Sequence, residues 1–296
     1  MNKPHPPNAL IWRAGIGLGR ALARLPRPLL FSLGRGLGRV AYWLGPKRRR
    51  IAATNLRLCF PELDTERRRK LLKAHYSSLG QGFAEVIWGW WAPTHENPPE
   101  CTIEGWEHLE AARSDGRGVL LYTGHFTYME LSSVCLARKV NLSVVYRPNR
   151  NPLINEAVDA GRARHVAALY AKQQTTRMVR ALRRGEVLWI APDQNYGRAQ
   201  SATLPFFGVP CATNVAVPNL ARLGRARILP FFASRTKNGF HLRIEPPLKD
   251  LPSGDDAADT RRLTERLEAH IRQHPEDYLW GHRRFKKRAD GQPAPY

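Results

Sequence analysis

Acidic residues are scarce in this chain. It carries 25 Asp and Glu against 47 Lys and Arg, a formal net charge of +22, which calls for an anionic partner: nucleic acid, an anionic membrane surface, a phosphorylated substrate or an acidic protein. Cysteine is sparse too. Cys59, Cys101, Cys135 and Cys211 stand far apart with no Cys-x2-Cys pair, which points to buried reduced thiols in a cytosol-facing body. There is no Gly-x-Ser-x-Gly elbow, no Gly-x4-Gly-Lys-Ser/Thr loop and no Cys/His zinc spacing, so the usual serine-hydrolase, nucleotide and zinc signatures are missing. The glycine clusters at 15–19 and 34–38 follow no strand, which argues against a dinucleotide site. Neither a metal nor a cofactor is required.

Long uncharged apolar runs are also missing near the N-terminus. Residues 9–24 place Arg13, Arg20 and Arg24 within about 40° of one another on a helical wheel, and the rest of that segment is Leu, Ile, Ala, Trp12 and Gly. A second apolar segment, 28–45, again has two arginines on one face, Arg35 and Arg39. Neither reaches 18 residues without a charge, so an interfacial or shallow hairpin anchor is expected rather than a span. KRRR at 47–50 then reads as a basic cluster for anionic lipid. Gly15/Gly19 and Gly34/Gly38 have the spacing that lets helices approach closely, a spacing that chance supplies about as readily in a glycine-rich segment. No signal-peptide cleavage site is evident.

Hydrophobic residues make up 43% of the 296 and tryptophan occurs eight times, enough for a folded core. Asp64 is expected to cap a long helix running through FAEVIWGWW. Beyond it strand and helix alternate: strands over 118–123, 142–146, 186–191, 227–233 and 240–245, and helices over 127–137, 152–169, 175–184, 213–223 and 257–273. Such alternation predicts a single α/β domain with a mixed, largely parallel sheet flanked by helices, preceded by the amphipathic membrane-anchoring segment.

Chemistry concentrates at GVLLYTGHFTYMEL, residues 118–131. The apolar run reads as a strand buried on both faces, and His125 follows it on the turn at its carboxyl end, where open α/β sheets place ligands. Glu130 lies five residues on. On one continuous helix the two would point about 140° apart, so they can meet only if His125 precedes the helix. The expected arrangement is a general base oriented by a carboxylate. Spacing alone says little: ten histidines and this acid content predict about 0.8 chance cases of His-x4-acid, and the chain has two. The second, His95 and Glu100, lies in a proline-rich loop with no strand before it and serves as a control. Two more strands end in polar residues, Arg147 after 142–146 and Asp193 after 186–191. Both are candidates for substrate binding, with ordinary ion-pair or turn roles as the alternative.

These blocks carry a resemblance: NLRLCFPEL at 55–63, GHFTYMEL at 124–131, VYRPNRNPL at 145–153, RRGEVLWIAPDQNYG at 183–197, PFFGVPCAT at 205–213 and DYLWGHRRFKKR at 277–288. The chain resembles the late lipid A acyltransferases, the lauroyl and myristoyl transferases, within the His-x4-Asp/Glu acyltransferase superfamily. That resemblance implies membrane-anchoring helices over 1–46 and an acyltransferase domain over 47–296. It also implies acyl transfer from acyl carrier protein to a hydroxyl of a Kdo-bearing lipid A precursor, at the cytoplasmic face of the inner membrane. His125 and Glu130 carry over as the catalytic pair, and Arg147 and Asp193 as substrate-site residues. The implied partners are the acidic carrier protein, the lipid A precursor and anionic inner-membrane lipid, with no nucleic acid. Another glycolipid or a lysophospholipid stays open as the acceptor, and a basic binding protein without catalysis is the remote alternative. The basic run Lys172, Arg177, Arg180, Arg183 and Arg184 is a candidate docking face for the carrier, with a solvated helix face as its bland alternative.

Overall fold

Residues 8–92, 98–194, 200–286 and 293–296 are described by the computed structural model. Four helices come first: α1 (Ala9–Leu22), α2 (Arg27–Leu44), α3 (Pro46–Cys59) and α4 (Thr65–Trp91). Pro26 precedes α2 and Pro46 opens α3, positions where a missing N–H costs nothing. Asp64 caps α4 as expected, its carboxylate accepting the Arg67 backbone N–H at 2.7 Å.

Alternation follows: β1 (Glu100–Glu104), α5 (Trp106–Arg113), β2 (Val119–Tyr122), α6 (Met129–Ala137), β3 (Leu142–Tyr146), α7 (Pro152–Ala163), β4 (Ala168–Ala171), α8 (Thr175–Arg183) and β5 (Val187–Ile190). The chain then forms the hairpin β6 (Ser201–Phe206) and β7 (Val209–Asn214), α9 (Ala216–Gly224), β8 (Arg227–Arg235), β9 (Gly239–Ile244) and α10 (Asp256–Gln273). Seven strands make one sheet in the order β1-β9-β8-β2-β5-β3-β4. The strands from β8 to β4 are mutually parallel, while β9 is antiparallel to β8 and parallel to β1. The expected mixed, largely parallel α/β sheet is the one found. β2 lies at its centre, with Val119, Leu120 and Leu121 wholly buried, as a strand covered on both faces must be.

Several elements differ from expectation. The helix expected over 152–169 ends at Ala163, and residues 168–171 form the edge strand β4. β1, α5 and the β6–β7 hairpin were not expected, and the helix expected from 213 starts at Ala216 because β7 runs to Asn214. Phe207 and Gly208, both with positive φ, form the two-residue turn of that hairpin. The reduced-thiol reading is corrected for two cysteines: Cys101 on β1 and Cys135 on α6 form a disulfide, their Cα atoms 6.0 Å apart. A separation of 34 residues hid the pairing; Cys59 and Cys211 are free and buried.

One of the two glycine pairs brings helices together, and its partner is α4 rather than α1. A Cβ on Gly38 would lie 2.0 Å from the Tyr76 carbonyl oxygen, and one on Gly34 would lie 2.6 Å from that of Gly80. Leu30 and Tyr42 are buried on the same face of α2. A Cβ on Gly15 would meet no atom of another element within 4 Å, while one on Gly19 would run into the Trp91 ring. Gly38→Ala is therefore expected to destabilise the protein by about 1–3 kcal/mol through backbone overpacking. Gly36→Ala, with open space around it, should be neutral or gain up to about 1 kcal/mol of helix propensity. Thermal unfolding of the two variants checks the difference.

Candidate active site

Register decides which side chains meet. Tyr122 of β2 pairs with Ile190 of β5, and Trp189 of β5 with Val144 of β3, all parallel. The third residue beyond each of Tyr122, Ile190 and Val144 is His125, Asp193 and Arg147 respectively, so the three arrive together at the carboxyl edge of the sheet.

His125 Nδ1 lies 2.6 Å from Asp193 Oδ1, and the His125 backbone N–H donates to Asp193 Oδ2 at 3.1 Å. Tyr278 donates its hydroxyl to the same Oδ2 at 2.8 Å. Burial alone would push the Asp193 carboxyl up, but the His125 ring, the His125 amide and the Tyr278 hydroxyl bring it down to about 2. A depressed carboxyl stabilises the fold above its ordinary value of 3.8 and loses that contribution as pH falls toward 2. With Nδ1 engaged, Nε2 is the imidazole nitrogen left for chemistry; among the described residues it has no partner.

The turn that carries His125 is pinned from behind. Residues 125–127 lie antiparallel to 277–279: the Thr127 N–H donates to the Asp277 carbonyl at 2.8 Å, and the Leu279 N–H donates to the His125 carbonyl at 2.9 Å. Beside it, at the end of β8, the largely buried Arg235 guanidinium binds Glu85 at 2.8 and 2.9 Å, Asp277 Oδ1 at 2.6 Å, Ser78 Oγ at 2.8 Å and Thr127 Oγ1 at 3.1 Å.

Glu130 is not the partner of His125. This corrects the expected pairing. The Glu130 carboxylate forms a two-point ion pair with Arg162 of α7, with Nε to Oε2 at 3.1 Å, and accepts the Trp90 indole N–H at 3.2 Å. His125 precedes the helix, as the spacing required, but β5 delivers a nearer carboxylate than the first turn of α6 does. Asp193, expected to bind substrate, is buried behind the ring and engaged with it. Arg147 is exposed at the rim. His125, Glu130, Arg162 and Arg147 all line one cavity of about 250 Å³, whose apolar wall includes Met129, Val134, Val144, Trp189 and Ile190. An imidazole backed by a carboxylate and opening onto an apolar cavity can remove a proton from a hydroxyl held beside a long acyl chain.

Arg162 and Tyr278 were not singled out from the sequence, where Trp90 reads only as a core or interfacial aromatic residue. For Arg162, no local pattern links a residue near the end of α7 to one 32 positions earlier. Asp193 had a signal: it lies at the same distance past β5 as His125 past β2. His95, half of the control pair, lies outside the described residues; Glu100 is exposed at the start of β1.

Comparison with known proteins adds a whole-chain match. Residues 2–287 match the family model described as bacterial lipid A biosynthesis acyltransferase. The chain is 35% identical over 295 residues to a lipid A biosynthesis lauroyltransferase of Escherichia coli K12, covering 99% of this chain and 96% of that protein. It is 34% identical to the palmitoleoyltransferase of the same strain, again over 99% and 96%, and 28% identical to its myristoyltransferase, over 96% and 90%.

The geometry predicts that His125 holds its proton on Nδ1. In ¹⁵N NMR spectra, Asp193→Asn should shift the His125 tautomer balance or ring signals, while Glu130→Gln leaves them in place. The reverse result would return the orienting role to Glu130.

Proposed function

The chain belongs to the bacterial lipid A biosynthesis acyltransferase family, and on that premise we propose that it moves a fatty acyl chain from acyl carrier protein to a hydroxyl of a Kdo-bearing lipid A precursor, at the cytoplasmic face of the inner membrane. The observation that carries the mechanism is the His125–Asp193 pair at the mouth of an apolar cavity. His125 Nε2 takes the proton of the acceptor hydroxyl as its oxygen attacks the thioester carbonyl. The new C–O bond forms, the C–S bond breaks, and the carrier's thiolate leaves with the proton returned by the imidazolium. Asp193 orients the ring and stabilises its positive form. Glu130 belongs to the same catalytic group from the facing wall, where its ion pair holds Arg162 and Trp90 at the cavity. Arg147 is placed to meet an anionic part of a substrate at the rim.

The charge suits these partners. Precursor phosphates and carboxylates, anionic lipid and an acidic carrier are all drawn to a protein of +22; nucleic acid is not among the proposed partners. Lys172 of the basic run lines the cavity, which favours the adjoining α8 face for the carrier. For membrane attachment, no helix among the described residues is long and apolar enough to cross a bilayer. Exposed apolar side chains gather on α1 and α2: Leu10, Leu18, Leu33, Leu37, Trp43 and Leu44 are each at least 46% exposed. With Arg13, Arg20 and Arg24 beside them, they support a helix pair lying in the interface.

His125→Ala and Asp193→Ala should lower transfer by about 10²- to 10⁴-fold, and Glu130→Gln should also lose activity because Arg162 is left without its counter-charge. His95→Ala and Glu100→Ala should keep wild-type rates. A normally folded His125→Ala with wild-type turnover from a carrier-bound donor would end the proposed mechanism.

The interface reading has its own check. Leu37→Asp combined with Trp43→Asp should cut co-sedimentation with anionic vesicles by at least about tenfold, since each removes a side chain worth about 1.5–3 kcal/mol on burial. Unchanged partitioning would remove α2 from the contact.

A further inference from the structure

A second cavity reaches the catalytic turn from the other side. It has a volume of about 480 Å³ and lies between the carboxyl end of α2, the start of α3 and residues 279–282, with Ala41, Gly45, Arg48, Leu79 and His282 in its walls. Gln194, the neighbour of Asp193, lines this cavity and also the apolar one that holds His125. The two spaces therefore adjoin across Gln194, next to Asp193. Their chemistry differs: the first is walled by Met129, Val134, Trp189 and Ile190, whereas the second has a cation at its edge with the buried His75 and the half-buried His282 in its walls.

Arg48 is that cation. Its guanidinium donates to the Gly281 carbonyl at 3.4 Å, which leaves most of its five donors for a ligand, and no carboxylate pairs with it among the described residues. Arg48 also acts electrostatically on His282, which burial, chiefly, and the nearby cations hold down to about 4 despite the opposing pull of Asp193. An uncharged His282 leaves Arg48 as the charge at this opening. Past the rim run Trp43 and Leu44, 64% and 77% exposed, continuous with the apolar stripe of α2. An amphipathic lipid can lay its chains along that stripe and its headgroup into the cavity.

We propose that this cavity is the acceptor site, and that Arg48 binds a phosphate or carboxylate of the glycolipid headgroup while the acceptor hydroxyl reaches His125 past Gln194. The donor acyl chain occupies the apolar cavity on the other side, so the two substrates approach the base from opposite faces. This assignment rests on the acyl-transfer reading above and adds to it the division of the site. A guanidinium presents a planar fork that matches either oxyanion in two-point fashion.

The test uses the full-length chain in neutral-detergent mixed micelles, which removes attraction to bulk anionic lipid. Wild-type protein is first assayed with a carrier-bound acyl donor and a phosphorylated, Kdo-bearing lipid A precursor. Absence of transfer there would overturn the acyl-transfer reading itself. Given transfer, Arg48→Ala should raise the acceptor KM about tenfold or more while leaving kcat and the donor KM near wild type, and Arg48→Lys should recover part of the loss. Arg57→Ala, which removes the same charge from an exposed position on α3 outside the cavity, should match wild type. On an acceptor whose phosphates and carboxylates are esterified, wild type and Arg48→Ala should converge. An acceptor KM unaffected by Arg48→Ala overturns the proposal. So does an equal rise in Arg57→Ala, which would mark a general charge effect, and so does a selective rise in the donor KM, which would assign Arg48 to the carrier.

Discussion

A guanidinium withdrawn from water must be met by carboxylates or the fold around it fails. Arg235 is in that position. Its side chain is 14% exposed, at the end of β8, and its charge is balanced by Glu85 from α4 and Asp277 from the segment after α10. Removing one partner of such a buried cluster costs about 3–5 kcal/mol, because the remaining charge stays desolvated. The cluster therefore fixes three distant parts of the chain relative to one another. Ser78 and Thr127 complete its hydrogen bonds, and Thr127 is two residues past His125. The charge cluster at the end of β8 is thereby tied to the position of His125 at the same carboxyl edge of the sheet.

From that anchor the site assembles by sheet register. Parallel neighbours in the order β2, β5, β3 deliver one side chain each from the same edge, and the antiparallel contact of 125–127 with 277–279 closes the back. α7 adds Arg162 to the facing wall, where it holds Glu130. Two carboxylates with different duties result: Asp193, buried and bound to the ring, and Glu130, on the cavity wall and bound to a guanidinium.

Much of this was legible in the sequence where a local pattern carried it. The buried β2 run, the Gly124 turn, the Asp64 cap and the strand ends bearing Arg147 and Asp193 all rest on neighbours within a few residues. What was lost depended on distance. β4 vanished into a longer helix because ALYA, four residues at a sheet edge, has no alternation to separate it from the end of an amphipathic helix. The β6–β7 hairpin turns through Phe207-Gly208, with a bulky aromatic where a turn residue is usual. The partner of His125 was misassigned for a similar reason: Glu130 was near in sequence, whereas Asp193 became near only once β5 was placed beside β2. Arg162, Tyr278 and Arg235 owe their roles to tertiary packing, and no spacing rule finds them.

The backbone amide of His125 has a consequence of its own. Acyl-transfer sites commonly aim backbone N–H groups at the carbonyl oxygen, to meet its charge when the carbon becomes tetrahedral. Here that N–H is committed to Asp193 Oδ2. The carboxylate thus locks both ring and turn, and under the proposed mechanism His125 has no main-chain donor left for an oxyanion. In the proposed reaction, charge that builds on the donor carbonyl oxygen would be met by groups from elsewhere around the cavity, which would set proton transfer and oxyanion binding on separate parts of the chain.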